Sequence, residues 1–353
     1  MRTLIDFAIR TEYSRFKGHR DDLSEIGSQI DWERFRFLEP FLYKNKTSLG
    51  GRPNIDIVIM VKMLVLQHWF GLSDPELEWQ VADRFSFRIF LDTTEVVPDF
   101  STVWLFRERL IKSGRFDDLW RELQRQIDEK GYTVKEGSIQ DATFITSDPG
   151  QKRKQKDQES KCKEEDQELK AIGSKQVQEF DKDLLDISNN IINSQEKPMT
   201  PYGEPTNEGS WAKKGVKSFF GYKGHILIDT KHHLIRNVKT TTASVHDSQV
   251  DLGIEGIPRY SDKGYDGAKT RGYDAAMKKA TRGHKLGIRD ILRNKRISKK
   301  RSHIERCFAV MKRAHKEGHV LVTTVARAGM KFMLNAFVYN LVQLKHLAHN
   351  PLN

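Results

Sequence analysis

Only two cysteines, Cys162 and Cys307, occur among the 353 residues, too few for a disulfide framework or a cysteine zinc cage. Long apolar runs are equally scarce. The longest, IVIMVKMLVL from Ile57 to Leu66, is broken by Lys62 and is too short to span a bilayer. The opening MRTLIDFAIRTEYSRF has no apolar stretch of the kind a secretory signal needs before its charges return. No repeat of solenoid length runs through the chain. These absences argue against secreted, membrane-spanning and repeat architectures, and the expected compartment is a reducing cytoplasm.

Negative charge is also in short supply. Lys and Arg number 60 against 48 Asp and Glu, giving net charge +12 and a pI near 9.5. Such a balance favours a polyanionic partner, with nucleic acid ahead of an anionic membrane.

The pattern along the chain changes texture twice. Ile55 to Leu66 reads as a buried helix entered through Pro53 and ending near Gly71. SDPE, Ser73 to Glu76, has the spacing of a capping box. In DFSTVWLFRERL, Asp99 or Ser101 caps a helix whose apolar side carries Val103, Trp104 and Leu110. Residues 1–130 are therefore expected to form a helical domain, with Trp69, Trp79, Phe85 and Trp104 in its core. Arg84, Arg88, Arg107 and Arg109, spread over these helices, suit either a helix-turn-helix reader of DNA or the solvated face of an ordinary bundle.

From Glu136 the residues become β-branched and the runs short. EGSIQDATFITS reads as a strand with Asp141 at its centre. GYKGHILIDTKHHLIRNVKTTTA reads as a hairpin turning at DTKHH, and IPRYSDKGYDG as a short strand ending at Asp262. A helical run containing YDAAMKKA is expected next, and helix again from Lys299 onward. Helices, strands and helices in this order predict an α+β or α/β domain over residues 131–350 behind the helical one. It is interrupted at residues 150–205. Within that interruption, residues 151–200 hold 10 Lys and Arg against 11 Asp and Glu, a composition that suits a charged insertion or linker whose best ordered part is VQEFDKDLLDI.

Cutting a phosphodiester with divalent metals needs hard oxygen ligands that converge, and carboxylates at strand ends plus one on a helix can supply them. Asp141, Asp262 and Glu305 form such a set. Each also has a plainer explanation: a solvated strand face for Asp141, a turn before Gly264 for Asp262, and an i,i+4 ion pair with Arg301 for Glu305. The surroundings favour the metal reading. Residues 281–315 carry 12 Lys and Arg against only Asp290 and Glu305, and a glutamate in a DNA-attracting run weakens binding unless it serves another purpose.

The arrangement resembles the bacterial insertion-sequence transposases of the Asp-Asp-Glu (DDE) class. Around the glutamate, one large branch of that class has Tyr, two residues, Arg, three residues, Glu, six residues, Lys. Arg301, Glu305 and Lys312 keep the last three members, while Ser298 stands at the tyrosine position. GRPNIDIVIMVKMLVLQHWFGLSDPELEWQVADRFSFRIFL resembles the helical N-terminal domain of the insertion-sequence-five group. GSWAKKGVKSFFGYKGHILIDTKHHLI, ASVHDSQV and YSDKGYDG resemble its later motifs, in order.

The resemblance implies an RNase H-like catalytic domain. It implies two Mg²⁺ ions, with Mn²⁺ as a substitute, held by Asp141, Asp262 and Glu305. The implied chemistry is hydrolysis at the element ends followed by transesterification of the 3′-hydroxyl into target DNA. Arg301 and Lys312 are then phosphate contacts, with Lys214, Lys217 and Lys223 as helpers. The expected partners are terminal inverted repeats, target DNA and a second copy of the chain on paired ends. His246 and Asp247 stand outside the catalytic set, as a cap for the next helical turn in which Asp247 or Ser248 bonds the free amides. His225 is expected to pack rather than bind metal. Two other functions remain open on sequence: an RNase H-like nuclease that cuts without joining, and a catalytically silent DNA-binding regulator. The helical N-terminal region and the motif around Glu305 argue against the first, and the intact carboxylates against the second.

Overall fold

The computed structural model describes residue 11 and residues 22–43, 54–93, 97–149, 208–314 and 318–350. The charged segment 150–205, with its VQEFDKDLLDI patch, lies outside the described residues, as does Pro53. By its contacts the chain divides at 148/149 and 207/208, leaving residues 1–148 and 208–353 as one compact unit.

The longer α-helices described ahead of the sheet are α1 (Asp22–Gly27), α2 (Ile57–Phe70), α3 (Asp74–Asp83), α4 (Phe85–Leu91), α5 (Phe100–Lys112) and α6 (Phe116–Glu129), with a 3-10 helix Trp32–Leu38 and a single α-turn Glu39–Leu42 between α1 and α2. Their ends follow local chemistry. Asp56 caps α2 by accepting from the Val58 amide, and α2 stops at Gly71, whose φ of 60° is the left-handed conformation that glycine adopts without a Cβ penalty. Ser73 accepts from Glu76 N at the start of α3, and Asp99, rather than Ser101, accepts from Thr102 N at the start of α5. Because α2 is apolar nearly all round, it is buried nearly all round. Its one cation, Lys62, lies over the rings of Trp32 and Phe90 at 5.6 and 5.5 Å.

Three of the aromatics expected in this core are outside it. Trp79, Phe85 and Trp104 are 61%, 52% and 49% exposed. Helical phase explains two of them: the buried stripe of α3 is Leu77 and Val81, and that of α5 is Val103, Phe106 and Leu110, so Trp79 and Trp104 face away. Trp69 does pack, stacked on Phe70 with centroids 5.6 Å apart.

The four arginines singled out in the sequence make contacts between these helices, although Arg84 is itself exposed. Arg84 lies over Phe87 and Phe70, and Arg88 donates to the carbonyls of Val81 and Ala82. Arg107 grips Asp74 at 2.7 Å and Gln67 at 3.0 Å, and Arg109 lies over Tyr43. They hold helix to helix rather than forming a reading face.

The sheet has seven strands: β1 (Ser138–Ser147), β2 (Ser210–Lys214), β3 (Lys217–Asp229), β4 (Ile235–Thr242), β5 (Pro258–Ser261), β6 (Tyr273–Ala276) and β7 (His319–Val320). The order is β2-β3-β1-β5-β6, with β4 also on β3 and β7 also on β1. β3 runs antiparallel to β1 and to β4, whereas β5 runs parallel to β1 and β6 parallel to β5. That order and those directions, with helices packed on the sheet, make this an RNase H-like domain. β6 corrects the helix expected at YDAAMKKA. Ladder pairing with β5 outweighs the helical preference of its alanines, and Gly272 just before it allows a close approach to the Ile257 carbonyl that a Cβ would block.

Two long helices complete the fold, α7 (Ile288–Ala314) and α8 (Val325–His349). The expected boundary near residue 130 is a change of texture but not a break in packing, because α8 serves both sides. His68 of α2 meets the Asn335 amide oxygen at 3.0 Å, while Asn340 clamps both backbone groups of Ile235 at the start of β4. Phe332 lies against Gly224 of β3, where an added Cβ would fall 2.4 Å from its ring. Residues from the helices, the sheet and α8 thus share one hydrophobic core.

Candidate active site

The register of β1 and β5 sets the site. Ile139 pairs with Tyr260 in a parallel ladder, so two residues further along, where β5 ends, Asp141 and Asp262 come side by side. The ends of parallel strands are where an α/β sheet presents ligand-binding groups. Asp141 accepts from the amide of Ala142 at 2.8 Å, and burial pushes its carboxyl pKa up, opposed chiefly by the charge of Arg301. Asp262 accepts from Lys263 N at 2.6 Å as the cap of the short turn Lys263–Tyr265.

α7 supplies the cation between them. Its buried seam includes Ile297, Ile304, Cys307 and Met311, with three of these at a heptad spacing that keeps one side of the helix against the sheet. Lys300 donates to the Tyr260 hydroxyl at 2.9 Å and fastens the helix to β5. Arg301 reaches past this seam. Its Nη2 donates to Asp141 Oδ2 at 2.9 Å, and its Nη1 lies 3.5 Å from Asp262 Oδ1.

The ion pair between Arg301 and Glu305 is therefore not formed. Glu305 is exposed one turn beyond Arg301 and has no ion-pair partner among the described residues. The structure brings together two of the three predicted carboxylates. Among the described residues no three metal-ligating side chains gather into a cage. Asp141 and Asp262 nevertheless suit a hard divalent ion: they come from two adjacent strands, offer only oxygen, and already meet about a single positive group.

The predicted phosphate contacts fall in different places. Lys223 lies on the other face of the sheet from Asp141. It pairs with Asp247 at 3.0 Å, donates to the Val245 carbonyl at 2.7 Å and is nearly buried, so its charge is committed to shaping the VHDSQ turn. Lys217 is exposed at the β2–β3 hairpin. Ile226 is the residue opposite Asp141, which sets Lys217 nine residues back along the strand, about 30 Å away. Lys214 ends β2, and its side chain lies outside the described residues. Lys312 is half-buried on α7, two turns beyond Glu305.

His246, rather than Asp247 or Ser248, caps the short turn Asp247–Gln249, accepting from Ser248 N. His225 is wholly buried with Nε2 2.9 Å from Thr241 Oγ1, and burial pushes its pKa down to about 4, so it packs as a neutral ring.

Several positioning residues carried no signal in the sequence. Gln140, next to Asp141 but on the opposite face, donates to Val250 O and accepts from Leu252 N, bracing the loop beneath the sheet. Arg259, fully buried, pairs with Asp251 at 2.9 Å and fixes the base of β5. Lys300 was hidden in the basic run around it.

Two family models match the chain. One described as "Transposase domain (DUF772)" matches residues 11–109, and one described as "Transposase DDE domain" matches residues 191–341. The second range includes Asp262, Arg301, Glu305 and Lys312, whereas β1 with Asp141 precedes it. No solved structure matches the chain significantly.

Proposed function

The chain belongs to the DDE transposases, and from that premise we propose that it cuts DNA at the ends of its own insertion element and joins the freed 3′-hydroxyl to target DNA. One observation carries this reading: Asp141 and Asp262, from neighbouring parallel strands, converge on one cationic group at 2.9 and 3.5 Å. Asp141 and Asp262 would hold divalent metal, which DDE transposases use, and Glu305, one turn beyond Arg301, is assigned as the third ligand. Bound metal supplies Lewis acidity at the scissile phosphate and lowers the pKa of the attacking hydroxyl. Two Mg²⁺ ions, replaceable by Mn²⁺, fit this donor set.

The chain's own residues hold the DNA. Arg301 and Lys312 on α7 face the phosphates near the cut, and the wider basic run from 281 to 315 supplies affinity without sequence preference. Lys217 contacts DNA well away from the chemistry. The helical residues 1–130 bind the terminal repeats, through side chains other than the four arginines that hold the bundle together. Residues 131–350 are the catalytic part. Two copies act on paired ends, in the cytoplasm at the nucleoid.

The test is strand cleavage and joining on DNA bearing the element's own ends. With Mg²⁺ the protein is expected to nick at the element boundary and produce joined strands; with EDTA both products vanish while DNA binding persists. Cleavage that survives EDTA would refute the metal reading, and cleavage without joined product would make the chain a nuclease.

A further inference from the structure

Arg301 meets the two aspartates where a divalent ion would have to meet them. Its side chain is 14% exposed, donates to Asp141 at 2.9 Å, and lies 3.5 Å from Asp262. The Asp141 oxygen that accepts from Arg301 is less available to a metal, and a guanidinium this close to both carboxylates repels a second cation, so the two cations compete for the site. The planar fork that suits a carboxylate suits a phosphate equally well. The helix need not move for Arg301 to exchange one for the other: Ile297 and Ile304 stay buried on either side of it, Lys300 stays on Tyr260, and Ser302 and Glu305 next to it are already exposed.

We propose that Arg301 couples metal loading to DNA binding: in the DNA-free protein its guanidinium occupies Asp141 and Asp262 and holds metal affinity down, and a DNA phosphate draws it away and frees them. The proposal rests on the reading of these aspartates as metal ligands. Coupling of binding equilibria is reciprocal, so metal tightens DNA binding by the factor by which DNA tightens metal binding. Arg301 in this role is a positioning residue whose effect is read in metal affinity.

Mn²⁺ binding to the full chain, followed by electron paramagnetic resonance with and without a duplex carrying the element end, tests it. DNA is expected to tighten Mn²⁺ binding to the wild type by about tenfold or more. Arg301→Gln, which removes the competing charge, is expected to bind Mn²⁺ that tightly without DNA and to gain little when DNA is added. Arg301→Lys keeps a cation at the site and stays near the wild type without DNA, which separates competition from any general loss of folding. The proposal is overturned if Arg301→Gln binds Mn²⁺ no more tightly than the wild type while Asp262→Asn abolishes the binding, since the ligand assignment then stands without the gate. Unchanged Mn²⁺ binding in Asp262→Asn would overturn the ligand assignment itself, and the gate with it.

Discussion

Asp141→Asn is expected to slow DNA cleavage by about a thousandfold or more while the protein folds as the wild type does. Losing one anionic metal ligand removes several kcal/mol of transition-state stabilisation, and about 1.4 kcal/mol is a factor of ten in rate. Stability behaves differently because two effects oppose each other. The Asp141 carboxylate is costly to bury, and its attraction to Arg301 offsets that cost. An asparagine keeps one oxygen, enough for the Ala142 amide or for Arg301 but not for both, and this lost hydrogen bond is set against the absence of a charge to desolvate. The net change in unfolding free energy should stay within about 1 kcal/mol. Single-turnover cleavage and thermal unfolding of the same preparation check both halves. Cleavage within tenfold of the wild type would remove Asp141 from the site.

The second large effect concerns α8. Phe332 is 1% exposed and fills the space over Gly224, so Phe332→Ala is expected to cost about 3–5 kcal/mol through lost burial and a residual cavity. Because α8 also holds α2 through the Asn335–His68 contact, the loss should lower one cooperative transition in which the helices and the sheet unfold together. Calorimetry distinguishes this from two separable domains. Two resolved transitions, only one of them shifted, would mean that residues 1–130 fold independently of the sheet.

What the sequence made legible was local. The caps at Ser73 and Asp99, the stop at Gly71 and the hairpin around DTKHH depend on neighbouring residues, and they appear in the structure near where their signals lie. The two aspartates were legible as strand residues, and the register of β1 against β5 explains why they meet. What was hidden depends on distant partners. Arg301 had an apparent partner one turn away in Glu305, yet the docking of α7 on the sheet gives it two aspartates instead. Lys223 looked like any other lysine in a basic motif until the VHDSQ turn folded onto it. Trp79 and Trp104 were expected inside because they are large and apolar, but helix phase decides exposure, and neighbouring residues had already filled the buried stripe.

Glu305 is exposed and has no ion-pair partner among the described residues, yet it is the proposed third ligand. The most direct measurement is cleavage and joining by Glu305→Ala with Mg²⁺, beside DNA binding by the same variant. Both reactions are expected to fall by about a thousandfold or more while binding persists. Normal cutting by Glu305→Ala would contradict that ligand assignment and leave Glu305 as one more charge on a solvated helix.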